Sequence, residues 1–345
     1  MSSAFVISTI GSRALDSTRE LRRLCEGGSD MLRLNFSHTA ADEAEGVVQW
    51  ARRNFPQIKL LQDLQGAKLR VGRMRQQRRV SPGDQVVFVP QKVYDNVDPR
   101  ERDRQCLVPV NAPFPFERLE KATDIRMKDG SMQFRIERRL PPEGLLICEV
   151  VVGGMIRAEK GLNAPGVDRS GVGLPQKDVR DLALAAEMRF DAVMASFVTG
   201  KTELLHAREI LAQGPAEWKP QLWAKVECRE ALDNLDEIIE YADAILIGQG
   251  DLGGELGTEA LPAASREIAQ RVVAAGKPCS IGTGLLESMR DAPTATEAEI
   301  QNLREFMELG VRGFLLTAET SVGQHPVEAI QTVRQVAAEF AVSQQ

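Results

Sequence analysis

Short runs of Val, Ile, Leu, Met and Phe recur along the chain, each followed by a stretch in which apolar and charged residues alternate at helical spacing. This is the pattern of βα units, and eight of them can be traced. The pattern predicts strands at residues 4–10, 31–37 and 59–64, and again at 191–197, 221–227, 244–252, 278–283 and 313–319. A final helix is predicted at about 325–340. Three strands plus five close an α/β barrel of the (β/α)8 TIM type.

The rhythm breaks between the third and fourth strands. There, short β-like runs (QVVFV, LLICEVVVGG) alternate with turn segments (SPGD, KDGS, PPEG), so a small β-rich domain inserted in a barrel loop is expected. The expected organisation is residues 1–70 for the first part of the barrel, 71–158 for the insertion and 159–345 for the rest. The arginines at 73–79 read as a solvated strand edge or turn.

In such barrels the chemistry gathers at the C-terminal ends of the strands. Reading only those ends gives Arg33, Asn35, Ser37 and His38 after strand two, then Asp63 after strand three, running into Lys68 and Arg70. Ser196 ends strand four, Lys225 and Glu227 end strand five, and Asp251, Thr283 and Glu319 follow on strands six, seven and eight. Lys225 and Glu227 are two residues apart and face one side of their strand. Glu227 and Asp251, on adjacent strands, form a carboxylate pair of the kind that holds Mg²⁺ while leaving room for water and substrate oxygens; otherwise they cap helices or loop amides. Lys225 is costly to bury unless it meets an anion, such as phosphate or carboxylate. Gly250, in the GDLGG turn, lets the backbone come close to a ligand. His38 reads equally as a cap or core histidine and as a nucleotide contact.

Composition narrows the partners. A formal net charge of -6 argues against nucleic acid and anionic membranes. No stretch has the apolar length of a membrane span, and the N-terminus does not read as a signal peptide. The five scattered cysteines show no disulfide or zinc spacing and fit reduced, buried thiols in a cytoplasmic protein. No Walker A loop, GxGxxG or Ser-His-Asp order is present.

The blocks TIGSRALDS, MLRLNFSH, DLQGAKLR, KGLNAPG, LPQKDVRDL, AVMASF, AKVE, IGQGDLGGELG, GTGLLESM and TAETSVGQHPVEAI, in this order, resemble the pyruvate kinase family over nearly the whole chain. The resemblance implies a form without that family's C-terminal regulatory domain. It also implies phosphoryl transfer from phosphoenolpyruvate to ADP, giving pyruvate and ATP. On that reading Glu227 and Asp251 would hold Mg²⁺, or Mn²⁺ in its place, and Lys225 would neutralise the phosphoryl in flight. Arg33 would bind the transferring phosphate, Arg70 and His38 the nucleotide phosphates, and Thr283 would lie by the enolate carbon. Asn35, Ser37 and Asp63 match the family's potassium ligands. Lys68 stands where potassium-dependent members carry a glutamate, so potassium independence is expected. The insertion would close as a lid, with Lys160 at its returning hinge, and a homo-oligomer is compatible with the family.

Some positions depart from the family pattern: Gln249 replaces the arginine of ARGDLG, and Ser12 the proline of TIGP. A Mg²⁺-dependent aldolase or lyase working through a pyruvate enolate, which needs no ADP, is therefore an alternative. A catalytically silent metabolite sensor is another.

Overall fold

A computed structural model describes residues 4–140 and 144–343. Eight parallel strands close into a barrel in sequence order: β1 (Phe5–Thr9), β2 (Met31–Asn35), β3 (Lys59–Asp63), β4 (Ala192–Ala195), β5 (Gln221–Val226), β6 (Ala244–Gly248), β7 (Cys279–Gly282) and β8 (Gly313–Leu316). The ring is completed where Phe5 of β1 pairs with Gly313 of β8.

Period-two alternation sorts each strand into two layers. Ile7, Met31, Leu61, Met194, Trp223 and Leu246 share one cluster inside the barrel. Their neighbours Val6, Leu32, Leu60, Val193, Leu222 and Ile245 belong to the larger cluster between strands and helices. The same alternation carries the inward face upward from apolar to polar. Ile7 is followed two residues on by Thr9, Met31 by Arg33, Leu61 by Asp63, Met194 by Ser196 and Trp223 by Lys225. The barrel is thus plugged below by hydrocarbon and lined above by charge.

Several strands stop short of expectation, and at two of them a helix takes over the residues assigned to the strand end. β6 stops at Gly248 and the chain turns at once into the helix Gln249–Leu256, so Asp251 sits in a first helical turn rather than on a strand. β8 stops at Leu316, and Glu319 lies in the short helix Ala318–Ser321. Over a few residues, an apolar run leading into a polar segment has no period that separates strand from first turn. The last helix runs Pro326–Ser343.

Between β3 and β4 the chain builds a second, seven-stranded sheet. Its order is Leu162–Asn163, Asp124–Met127, Met132–Leu140, Leu145–Val152, Gln85–Pro90, Leu107–Asn111 and Arg70–Val71. It has its own core, centred on an edge-to-face pair of Phe88 and Phe134 with centroids 5.3 Å apart. Within the arginine-rich 73–79 segment, Arg78 lies on the strand Arg78–Val80 and donates to Asp103 at 2.6 Å. All five cysteines are free, and four are buried. Among the described residues no helix is long and apolar enough to cross a membrane.

Candidate active site

Above the polar end of the barrel lies a cavity of about 470 Å³, within the size range of small-molecule sites. Lys225, Arg33, Thr283, His38, Arg70, Lys160, Asp251, Glu227, Asn35, Ser37, Asp63 and Lys68 all line it. Of the residues singled out for binding or catalysis, Gly250 lies behind the lining. A methyl group there would come within 2.8 Å of Thr283 Cγ2 and 2.9 Å of Asp129 Oδ1, so bare backbone is what lets these side chains close in. Glu319 also lies elsewhere. It is fully buried and accepts bonds from the Leu286 and Thr317 amides, at 3.1 and 2.7 Å, which makes it a loop anchor.

The charges form a connected array. Lys225 Nζ is 2.7 Å from Glu227 Oε1 and 4.0 Å from Asp63 Oδ2. Arg33 donates through Nε to Asp63 at 2.8 Å and through Nη1 to Thr9 at 2.9 Å. Asp63 also accepts from Ser196 Oγ at 2.8 Å. Glu227 Oε2 accepts the Phe197 amide at 3.1 Å. A side chain at Gly248 would come within 2.6 Å of Glu227 Cγ, so the end of β6 is kept bare beside this carboxylate.

Burial works to lower the Lys225 pKa, but Glu227 and Asp63 outweigh it and favour the charged ammonium. Burial pushes the Glu227 carboxyl up; Lys225 opposes this and Asp251 adds to it, leaving the group above its ordinary range. Burial works the same way on Asp251, but Lys68 and Lys225 prevail and hold it below. His38 is pushed down by burial and by Arg70, Lys160 and Lys68, which favours the neutral imidazole.

The four residues expected around a monovalent cation make separate contacts. Asn35 Oδ1 accepts the Ser37 amide at 3.0 Å, and Ser37 Oγ accepts from Arg70 at 2.9 Å. Asp63 is taken up by Arg33 and Ser196. Lys68 reaches across to Asp251 at 2.7 Å and lies over the Phe197 ring at 5.5 Å. Its ammonium therefore sits on one of the two candidate metal ligands.

Those ligands fit a hard divalent ion. Glu227 and Asp251 each bring carboxylate oxygens, the donors a hard cation prefers, into one partly enclosed, strongly charged cavity. Among the described residues no group of three or more His, Cys, Asp or Glu could form a full protein cage. Two carboxylates with open positions suit Mg²⁺, which retains water and takes substrate oxygens.

Sequence reasoning missed Asp129. It lies in the turn of the KDGS segment, with φ 55°, and brings a carboxylate from the inserted sheet into the cavity. Burial and the nearby Asp251 raise its pKa. The turn chemistry was visible, but nothing local in the sequence says that this hairpin reaches the barrel. Phe197 and Thr283 also adopt positive φ, 53° and 75°. For a β-branched threonine this is strained backbone, of the kind that gathers at ligand sites.

The loop carrying Lys68 is anchored by Asp178, in the first turn of helix Gln176–Met188, which accepts the Gly66 amide at 2.8 Å and the Gln65 amide at 3.2 Å. Burial raises the Asp178 pKa to about 6, although those amides oppose the shift. The folded state thus holds this proton more tightly than the unfolded chain, and the associated stability is lost as pH rises from about 4 through about 6. In denaturant unfolding, Asp178→Asn should gain on the wild type by up to about 3 kcal/mol across that interval. A difference that stays constant with pH contradicts the assignment.

The fold and its rim place the chain among α/β-barrel proteins whose polar cluster sits at the C-terminal ends of the strands. The family model for "Pyruvate kinase, barrel domain" matches residues 1–330, and the chain belongs to the pyruvate kinase family. It is 32% identical over 336 residues to a pyruvate kinase of Agrobacterium vitis, covering 96% of this chain and 67% of that protein. It is 28% identical over 340 residues to one of Staphylococcus epidermidis and 29% identical over 337 residues to one of Geobacillus stearothermophilus. In both cases the match covers 96% of this chain but only 56% of the relative.

Proposed function

We propose that the chain transfers a phosphoryl group between phosphoenolpyruvate and ADP, giving pyruvate and ATP. The observation that carries this reading is Lys225, a buried ammonium held charged between Glu227 and Asp63, in one cavity with Arg33 and Asp251. A fixed cation there meets the charge that spreads over the phosphoryl oxygens during transfer. Arg33 grips the transferring phosphate, its guanidinium pre-aimed by Asp63 and Thr9. Glu227 and Asp251 would hold Mg²⁺, or Mn²⁺ in its place, which would supply Lewis-acid charge stabilisation at the substrate. Arg70, His38 and Lys160 face the nucleotide phosphates, with Gly250 keeping the backbone close. Thr283 stands by the enolate carbon and helps organise proton delivery. The inserted sheet acts as a lid that keeps water from intercepting the phosphoryl.

The test is direct. Protein, phosphoenolpyruvate and Mg²⁺ are mixed with and without ADP, and pyruvate and ATP are followed by NMR. Formation of both products only with ADP supports the reading.

Ser12, on the nucleotide side, and Gln249, at the start of the helix bearing Asp251, favour a second reading. Gln249 makes a single long contact, 3.5 Å to Ser265, where the resemblance would place a cation. A Mg²⁺-dependent aldolase or lyase would form its enolate without ADP, whereas a silent sensor would bind pyruvate or oxalate without turnover.

Potassium independence remains part of the proposal, because Lys68 brings a fixed cation into this cavity, although its partner there is Asp251 rather than Asn35, Ser37 or Asp63. Replacing tetramethylammonium chloride with potassium chloride at equal ionic strength should leave the rate unchanged. Strong activation by potassium would contradict the role given to Lys68.

A further inference from the structure

One buried arginine, outside the cavity lining, touches the helix that carries Asp251 and the helix that follows Glu227. Arg169 lies on the segment returning from the inserted sheet and is 1% exposed. Its guanidinium makes a two-pronged pair with Glu255, Nη1 to Oε2 at 3.1 Å and Nη2 to Oε1 at 2.6 Å. Glu255 stands one helical turn beyond Asp251 on Gln249–Leu256. The Arg169 backbone amide donates to Glu230 Oε1 at 2.7 Å. Glu230 belongs to the helix Arg229–Asp233, which begins two residues after Glu227.

The grip is reinforced on the Gln249–Leu256 side. Asn163 Nδ2 donates to Glu255 Oε1 at 3.0 Å, and Arg126 of the inserted sheet donates to the Gly254 carbonyl at 3.2 Å. The helix bearing Asp251 is therefore fastened to the insertion, and through Arg169 to the segment that follows Glu227.

We infer that Arg169 is a positioning residue: its guanidinium, held in place by a chain segment whose backbone is tied to Glu230, grips Glu255 and so sets the placement of Asp251 relative to Glu227. The inference rests on the reading of Glu227 and Asp251 as ligands of a divalent cation. Groups that orient metal ligands change metal affinity when they are lost, even though they never touch the ion. The planar, forked guanidinium fixes direction as well as charge, which a lysine at this position cannot do.

The test measures Mn²⁺ binding by electron paramagnetic resonance, beside thermal unfolding, for wild type, Asp251→Asn, Arg169→Lys and the double variant Arg169→Met with Glu255→Gln. The double variant removes both buried charges together, which proteins tolerate far better than the loss of one partner. The expected result is that Asp251→Asn abolishes binding, while the double variant melts near the wild type but binds Mn²⁺ about 10-fold more weakly. Arg169→Lys should weaken binding in the same direction, and it decides the matter if the double variant does not fold. A folded variant with wild-type Mn²⁺ affinity overturns the role of Arg169 and leaves the metal pair standing. Absence of Mn²⁺ binding by the wild type overturns both.

Discussion

Lys225→Met is expected to lower kcat for phosphoryl transfer by about 10²–10³, with a smaller change in KM, because it removes a preplaced charge whose value is greatest in the transition state. The magnitude follows from the setting. The ammonium is enclosed at the rim, is held charged by Glu227 and Asp63, and has no reorganisation to undergo when negative charge develops. Methionine keeps much of the length and apolar stem, so the packing against the inner barrel layer is preserved. A loss confined to KM would move Lys225 from catalysis to ground-state binding, and a rate within about tenfold of wild type would remove it from the mechanism.

The second large effect concerns the acids. Glu227→Gln and Asp251→Asn should each raise the Mg²⁺ concentration needed for half-maximal activity by at least about 10-fold, since each removes one of the two carboxylates proposed to hold the ion. The two substitutions should also differ in stability. Glu227 is the acid whose charge burial disfavours, yet its neutral replacement leaves Lys225 with Asp63 4.0 Å away as its remaining ion-pair partner. Asp251→Asn strips Lys68 of the carboxylate it reaches at 2.7 Å. A titration of activity against Mg²⁺, with thermal unfolding of each variant, separates the two contributions. An unchanged Mg²⁺ requirement in both variants removes the metal assignment.

Most of the barrel was legible because its strands bury both faces and read as apolar runs separated by amphipathic helices. The rim was legible for the same reason: once the inward register of Trp223 is known, Lys225 and Glu227 follow on that face. Asp251 was found as a residue but misplaced as an element, since IGQGDLGG carries no signal dividing strand from helix. Glu319 was misread because position near a strand end does not reveal whether a carboxylate faces the cavity or folds back onto amides, as it does here. Asp129 and Arg169 were missed because their importance lies in contacts between segments far apart in the chain. The partners of Lys68 were hidden in the same way: sequence places it near Asp63, but its ammonium meets Asp251.

The second sheet begins with Arg70–Val71 and ends with Leu162–Asn163, and these two ends are stitched together. The Val71 amide donates to the Lys160 carbonyl at 2.8 Å and the Leu162 amide to the Leu69 carbonyl at 2.9 Å. This bears on how the chain finds its shape. β3 and β4 are neighbours in the barrel but lie far apart in sequence, and bringing such distant partners together costs conformational entropy. A sheet with its own core that closes on itself draws residues 69 and 162 together and shortens the remaining connection to a crossover that carries the single helix Gln176–Met188. The interruption in the barrel thereby becomes a splice, across which the two halves can meet almost as though they were consecutive.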